Sequence, residues 1–284
     1  MEKLEKKVAV ITGGSQGIGR AMAVEFTKAG YETVILARTE KDVEKAADEI
    51  SSMGACEGMA LDVSNPVAVK AVFGEIARKH GRMDVLVCCA GIYGPIGLLE
   101  ENDPLAWKQA IDINLCGTVY CTRAAIPYMK KQGFGRIIAL AGGGVGGPNI
   151  KPNLSSYTTS KFAVCGFVEV VSAELVGSNV TINAISPGAV NTRLLDQVLA
   201  AGDKAGKKFF ESSKAQKEKG GTPPELAAKM AIFLAGKSAG RISGRMISAV
   251  WEKPEQLVAL KAVGKSMYTL RRVDGLLVKE TGNE

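Results

Sequence analysis

Tyr157 and Lys161 stand four residues apart in Tyr157-Thr158-Thr159-Ser160-Lys161. On a helix that spacing puts both side chains on one face, about 5–6 Å apart at Cβ. A phenol with an ordinary pKa of ~10 is a poor base near neutrality, and a neighbouring ammonium favours its ionised form. The pair therefore reads as a proton relay, in which Tyr157 gives a proton to an oxygen or takes one away. A second group lies far upstream, in Thr12-Gly13-Gly14-Ser15-Gln16-Gly17-Ile18-Gly19, directly after the apolar run Val8-Ala9-Val10-Ile11. Glycines there permit a tight turn and a close backbone approach to a phosphate, and the helix that follows aims its free N–H groups at that anion. Gly19 lets helix and strand pack closely. A plain turn is the competing reading, but the strand–turn–helix setting points to a dinucleotide.

Two more residues have a chemical reading. The second apolar run ends Leu36-Ala37-Arg38-Thr39. An acid there would accept from a ribose 2′-hydroxyl and repel a 2′-phosphate. Arg38 instead can fork onto a phosphate and stack on adenine, which favours NADP(H) over NAD(H). The alternative is a solvated arginine at a loop tip. Asn114 interrupts the apolar face of Ile111-Asp112-Ile113-Asn114-Leu115, and a buried amide needs partners.

The elements that must position these groups alternate along the chain. Short, continuous apolar runs at 8–11, 33–36, 57–61, 85–89, 136–140, 180–185 and 245–250 read as strands. Helical periodicity fills 18–29, 40–52, 66–80, 104–131, 156–176 and 224–234. Apolar strands separated by helices give a parallel sheet covered on both faces, and right-handed crossovers give a doubly wound, Rossmann-type α/β fold of about seven strands. The expected organisation is one domain over 1–250 with a C-terminal extension over 251–284.

Gly-x-x-x-Gly-x-Gly after the first strand, with Tyr-x-x-x-Lys after the fifth, resembles the short-chain dehydrogenase/reductase family over about residues 6–250. The resemblance implies that Gly13, Ser15, Gln16, Gly17, Ile18 and Gly19 hold the cofactor phosphates, that Asp62 and Val63 contact the adenine, and that Ala90 and Gly91 line the cofactor. It matches Pro187-Gly188-Ala189-Val190-Asn191-Thr192 to the segment that holds the nicotinamide carboxamide, through Pro187, Gly188, Val190 and Thr192. It makes Asn114, Tyr157 and Lys161 the catalytic set. Lys161 also holds the nicotinamide ribose, and Asn114 interrupts its helix and anchors a water linked to Lys161. A positively charged nicotinamide further lowers the Tyr157 pKa.

Two departures stand out. The fourth strand usually ends Asn-Asn-Ala-Gly in this family but reads Cys88-Cys89-Ala90-Gly91. The fifth usually ends in serines, one of which binds the reacting carbonyl; here no hydroxyl side chain occurs between Arg136 and Ser155. Ser155 and Ser156 read as helix caps rather than replacements. Either backbone N–H groups of the glycine run from Gly142 polarise the carbonyl, or the substrate brings its own group, or activity is impaired.

The implied activity is an NADP(H)-dependent interconversion of a carbonyl and a secondary alcohol, with Tyr157 moving the proton. The alternatives are a dinucleotide-binding protein with little or no turnover and a cofactor-retaining sugar epimerase. The chain has 46% hydrophobic and 23% charged residues, which excludes a disordered polypeptide. No run reaches the ~20 apolar residues of a membrane span, and the charged start carries no secretory signal. The single histidine, His80, lies at a charged helix end and reads as surface, which argues against Ser-His-Asp chemistry. No metal site is expected. Six cysteines without a C-x-x-C pair read as buried apolar groups in a reducing, cytoplasmic setting. The net charge of +7 comes without any nucleic-acid-binding motif. The 192–221 stretch should form a lid. It carries Lys204, Lys207, Lys208, Lys214, Lys217 and Lys219, read either as a solvated face or as steering for an anionic substrate. A homodimer or homotetramer through the 104–131 and 156–176 helices is expected, with the tail from Trp251 adding to or blocking a further interface.

Overall fold

A computed structural model describes residues 6–142, 144–146, 150–259 and 268–269. Seven strands form one parallel sheet: β1 (Val8–Thr12), β2 (Glu32–Ala37), β3 (Cys56–Ala60), β4 (Val85–Cys88), β5 (Gly135–Leu140), β6 (Val180–Ser186) and β7 (Met246–Ser248). Their order is β3-β2-β1-β4-β5-β6-β7, with Thr12 level with Leu36 on one side and Cys88 on the other. The chain reverses its winding between β1 and β4, so a crevice opens outside the carboxyl ends of those strands.

The strands are apolar throughout because both faces are covered. Ala9 and Ile11 point to one side, where α1 (Gly17–Lys28), α2 (Glu40–Ser51) and α9 (Pro224–Ala235) bury Met22, Phe26, Val43 and Ala231. Val8 and Val10 point to the other, against α3 (Pro66–His80), α5 (Gly117–Lys131) and α6 (Ser155–Glu174). Local signals set the helix ends. Asn65 Oδ1 accepts from the N–H groups of Val67 and Ala68 at the start of α3, and Gly81 takes a left-handed φ of 72° at its end.

The expected 104–131 helix runs as α4 (Pro104–Ile111), a π-helical turn (Asp112–Cys116) and then α5. Two helices occupy the lysine-rich stretch whose structure the sequence leaves open: α7 (Arg193–Ala201), capped by Thr192 Oγ1, and α8 (Lys207–Lys219). Lys217 Nζ and Asp196 pair across them at 2.7 Å. Gln216 Nε2 donates to Ala189 O at 3.0 Å and to Asn191 Oδ1 at 2.9 Å, which ties α8 to the segment after β6. Beyond Trp251 a short α10 (Pro254–Ala259) follows, and the Met246 N–H donates to Tyr268 O at 2.8 Å along β7. Lys261, Lys265, Arg271 and Arg272 lie outside the described residues.

Candidate active site

The turn after β1 is built on missing side chains. Gly13 has φ 67°, and a Cβ on it would come within 2.9 Å of the Ala90 backbone after β4. A Cβ on Gly19 would come within 2.2 Å of Gly13 O, so α1 reaches the turn only because that atom is absent. Thr12 Oγ1 draws the two strand ends together by accepting from the N–H groups of Cys89 at 3.1 Å and Ala90 at 3.2 Å. The result is a groove of about 130 Å³ lined by Gly13, Ser15, Gln16, Arg38, Val63, Ala90 and Gly91. A backbone cradle of this kind at a helix start fits the phosphates of a dinucleotide. Arg38 stands exposed at the end of β2, beside Thr39 and Asp42 on the groove wall.

Leu61 and Val63 line the groove, and Asp62 between them accepts through Oδ1 from the N–H and Oγ of Ser64. A short polar side chain followed by Ser-Asn-Pro prefers its own turn. Arg193, which the sequence reading passed over, does line the groove. Its signal was its place in the first turn of α7, directly after Thr192.

A second cleft of about 460 Å³ opens under the lid. Tyr157, Ile18, Pro187, Gly188 and Val190 line it, together with Tyr93, Gly142 and Lys151. Gly17 and Thr192 meet between the two clefts, where a Cβ on Gly17 would stand 3.3 Å from Thr192 Cγ2. Ile18, in the first turn of α1, lines the second cleft.

Tyr157 and Lys161 share a face of α6, with Lys161 Nζ 5.7 Å from the Tyr157 ring centroid. Lys161 is buried, and its Nζ donates to Leu140 O at the end of β5 at 2.8 Å. Burial pushes the Tyr157 hydroxyl above the ordinary phenol range, with Tyr93 and Cys89 adding to the effect. Burial also lowers the Lys161 ammonium. The chain alone therefore holds the phenol protonated, contrary to the lowering that the four-residue spacing suggests. Desolvation of an anion outweighs an ammonium whose own charge is also penalised.

Asn114 is fully buried in the π-helical turn. Its Oδ1 accepts from the Ile92 N–H at 2.8 Å, and its Nδ2 donates to Ile92 O at 2.8 Å and to Ser160 Oγ at 2.9 Å. It fastens the loop after β4 to the helix that carries Lys161. A Cβ on Gly91 would lie 3.1 Å from Asn114 Oδ1 and 3.7 Å from Lys161 Nζ, so the loop passes tightly over both.

At the end of β5, Gly142 faces the tyrosine. A Cβ there would stand 2.8 Å from Tyr157 Oη, and Gly142 has φ 155°. A side chain at Gly142 is thus opposed by both space and backbone. Ser155 and Ser156 are the first two residues of α6 and cap nothing. Ser155 Oγ accepts from Trp107 Nε1 at 3.0 Å, and Ser156 Oγ donates to Tyr93 O at 3.0 Å. That second bond seats Tyr93, whose ring packs edge-on against Tyr157 with centroids 4.6 Å apart. Tyr93 lines the cleft and was missed by the sequence reading; a lone tyrosine five residues past β4 gave no periodic signal.

The remaining titratable groups lie away from these clefts. His80 is far less exposed than its charged surroundings suggest. Its Nδ1 lies 3.0 Å from Glu32 and its Nε2 2.9 Å from Glu57, at the amino end of β2 and β3. All six cysteines are free, and burial raises Cys56, Cys89 and Cys165 to about 11 and Cys88 to about 12. Among the described residues no helix is long and apolar enough to cross a membrane.

Known proteins share this arrangement. The short-chain reductase protein NovJ of Streptomyces niveus is 33% identical over 253 residues, covering 88% of this chain and 95% of its own. A 3beta-hydroxysteroid dehydrogenase of Mediterraneibacter gnavus is 32% identical over 269 residues, with the same coverage. Among solved structures, an actinorhodin polyketide ketoreductase variant with NADPH superposes with a TM-score of 0.78 at 26% identity, covering 87% of this chain and 97% of its own. NAD+-bound xylitol dehydrogenase superposes with 0.79 at 25% identity, covering 87% and 98%. The family model for short chain dehydrogenases matches residues 7–202, which span the glycine turn, the π-helical turn with Asn114 and the Tyr157–Lys161 face, and the chain therefore belongs to that family.

Proposed function

We propose that this oxidoreductase uses NADP(H) to interconvert a carbonyl and a secondary alcohol, with Tyr157 as the proton donor and acceptor. The observation that carries the reading is Tyr157, with Lys161 behind it on the same helix face, lining a cleft at the same sheet end as the phosphate cradle. When bound, the nicotinamide supplies or accepts the hydride. Tyr157 presents its hydroxyl to the carbonyl oxygen, and burial keeps it protonated until the oxygen takes up charge. Lys161, held from below by Leu140 O, places a positive charge behind the ring and a donor toward the cofactor ribose. Asn114 fixes the loop and helix relative to each other. Arg38 at the groove wall supports the choice of a 2′-phosphate.

The usual serine hydroxyl is absent, and Tyr93 takes its place in this reading. It lines the cleft, touches Tyr157, and is held neutral by burial, so its O–H is a donor for the carbonyl oxygen. The glycine run from Gly142 explains why the alternative of a protein with little turnover arises, but the intact relay and a second phenol in the cleft favour catalysis. A reducing, cytoplasmic setting agrees with six free cysteines.

The test is NADPH consumption with a panel of simple ketones, which also separates reduction from a cofactor-retaining epimerase. Tyr157→Phe should lower kcat by ~10²–10⁴-fold and leave NADPH binding, followed by fluorescence, unchanged. In the same assay Tyr93→Phe should lower kcat by about 10²-fold. Near-full activity in Tyr157→Phe would refute the assignment.

A further inference from the structure

The cleft at Tyr157 does not end beneath the lid. Lys151, Phe209 and Ser212 belong both to it and to a second chamber of about 460 Å³, whose walls also include Lys207 and Lys208. Among the described residues no carboxylate lines this outer chamber. Lys151 Nζ lies 4.4 Å from the centroid of the Phe209 ring, which holds the ammonium at the passage between the two spaces. Burial and the charge of Lys208 both push the Lys151 ammonium down from the ordinary lysine value.

On the lid, Lys217 is paired with Asp196. Among the described residues Lys151, Lys207 and Lys208 have no acidic partner in an ion pair. Gathering ammonium groups without a counter-charge costs free energy that a bound anion returns. A solvated helix face would account for Lys207 and Lys208, which are exposed, but not for Lys151, which is partly buried and comes from the opposite wall.

We infer that the outer chamber is a subsite for a phosphate-type dianion carried by the substrate, with Lys151 and Lys208 as its principal contacts and Lys207 at its rim. The substrate is then a carbonyl compound, or the matching alcohol, with a phosphate remote from the reacting carbon. The tether passes between Phe209 and Ser212. Remote binding energy of this kind positions the carbonyl against Tyr157, which matters more in a site without the usual serine. The inference rests on the oxidoreductase reading for its kinetics but not for its binding.

Two measurements separate the two. With NADP+ saturating, so that the cofactor's own phosphate sites are filled, methyl phosphate is titrated by calorimetry. It should bind the wild type, bind Lys151→Gln/Lys208→Gln at least tenfold more weakly, and bind Lys217→Gln as it does the wild type. Separately, 4-phosphonobutan-2-one should be reduced with a kcat/KM at least tenfold above that of pentan-2-one. The preference should shrink at high salt and vanish in the double variant, while Lys217→Gln retains it. Methyl phosphate that fails to bind, or binds the double variant equally well, overturns the subsite. Equal kcat/KM for the two ketones does the same. Turnover of neither ketone, with methyl phosphate still lost on mutation, would instead count against the oxidoreductase reading.

Discussion

Arg38 and Tyr157 carry the proposed cofactor choice and proton transfer. Arg38, directly after β2, lines the groove, and one charge-assisted contact contributes ~1.5–3 kcal/mol. Arg38→Ala should therefore reduce the preference for NADPH over NADH by roughly tenfold to a hundredfold, as read from the two dissociation constants. If the ratio is near one in the wild type and unmoved by the substitution, Arg38 does not choose the cofactor. Arg193 lies on the same groove and should soften the loss in both cofactors alike, since it follows the segment on the nicotinamide side. For Tyr157 the sign of the pH dependence follows from burial. Reduction needs the protonated phenol, which predominates below its pKa, and burial moves that pKa upward. Reduction should hold level from neutral pH into the alkaline range and fall only beyond the ordinary phenol value of ~10. Alcohol oxidation needs the phenolate, so it should climb with pH over the same interval. Profiles of kcat/KM in both directions would show this, and a reductive rate already falling near pH 7 would contradict it.

At the scale of elements, the site depends on how closely α1, the loop after β4 and the π-helical turn approach one another. Gly19 is the tightest of these contacts, and a methyl group there has no room beside Gly13 O. Overpacking of this kind costs ~1–3 kcal/mol when the backbone must shift. Gly19→Ala should lower the melting temperature and weaken NADPH binding together. A variant that melts lower but binds normally would show that the turn tolerates displacement. The π-helical turn has a comparable role. It rotates Asn114 inward from an otherwise regular helix, and Thr118 Oγ1 satisfies the carbonyl this leaves by donating to Asn114 O at 2.8 Å. Such turns inside long helices accompany functional sites. The lid is held differently, by a few polar links such as Gln216 to Ala189 and Asn191 rather than by a broad apolar face. Only Ser213 of α8 is fully buried, which fits an element that must admit a substrate.

For the whole molecule, the expectation of a homodimer or homotetramer gains support from apolar groups left on the outer helices. Val170 of α6 is 60% exposed, and Val176, just past its end, is 84% exposed. Light scattering should give a mass of twice or four times the 29.9 kDa chain. Val170→Glu should shift the distribution toward the monomer, because a charge at a buried interface position is costly without a partner. A wild-type monomer at micromolar concentration would overturn both statements. The other edge of the sheet carries Tyr268, whose carbonyl takes the Met246 N–H and whose hydroxyl donates to Glu252 at 3.2 Å. An extra backbone segment along β7 covers a strand edge that would otherwise be open to pairing.

The sequence by itself determined the sheet, the order of helices and the identities of the two chemical poles. Strands buried on both faces must be continuously apolar, and glycine turns and Tyr-x-x-x-Lys faces are local patterns that need no distant partner to be read. The lid was not legible in the same way. Gly202 and Gly206 break its periodicity, and α8 is too polar to signal a buried face. Nor was the state of Tyr157, because the spacing shows the ammonium but not the desolvation that outweighs it. Tyr93, Arg193 and Lys151 reached the two clefts from three separate parts of the chain. Such placements depend on which chain segments meet at the carboxyl end of the sheet. The tertiary structure decides that, because only there are the costs of burial, crowding and unpaired charge settled among residues far apart in sequence.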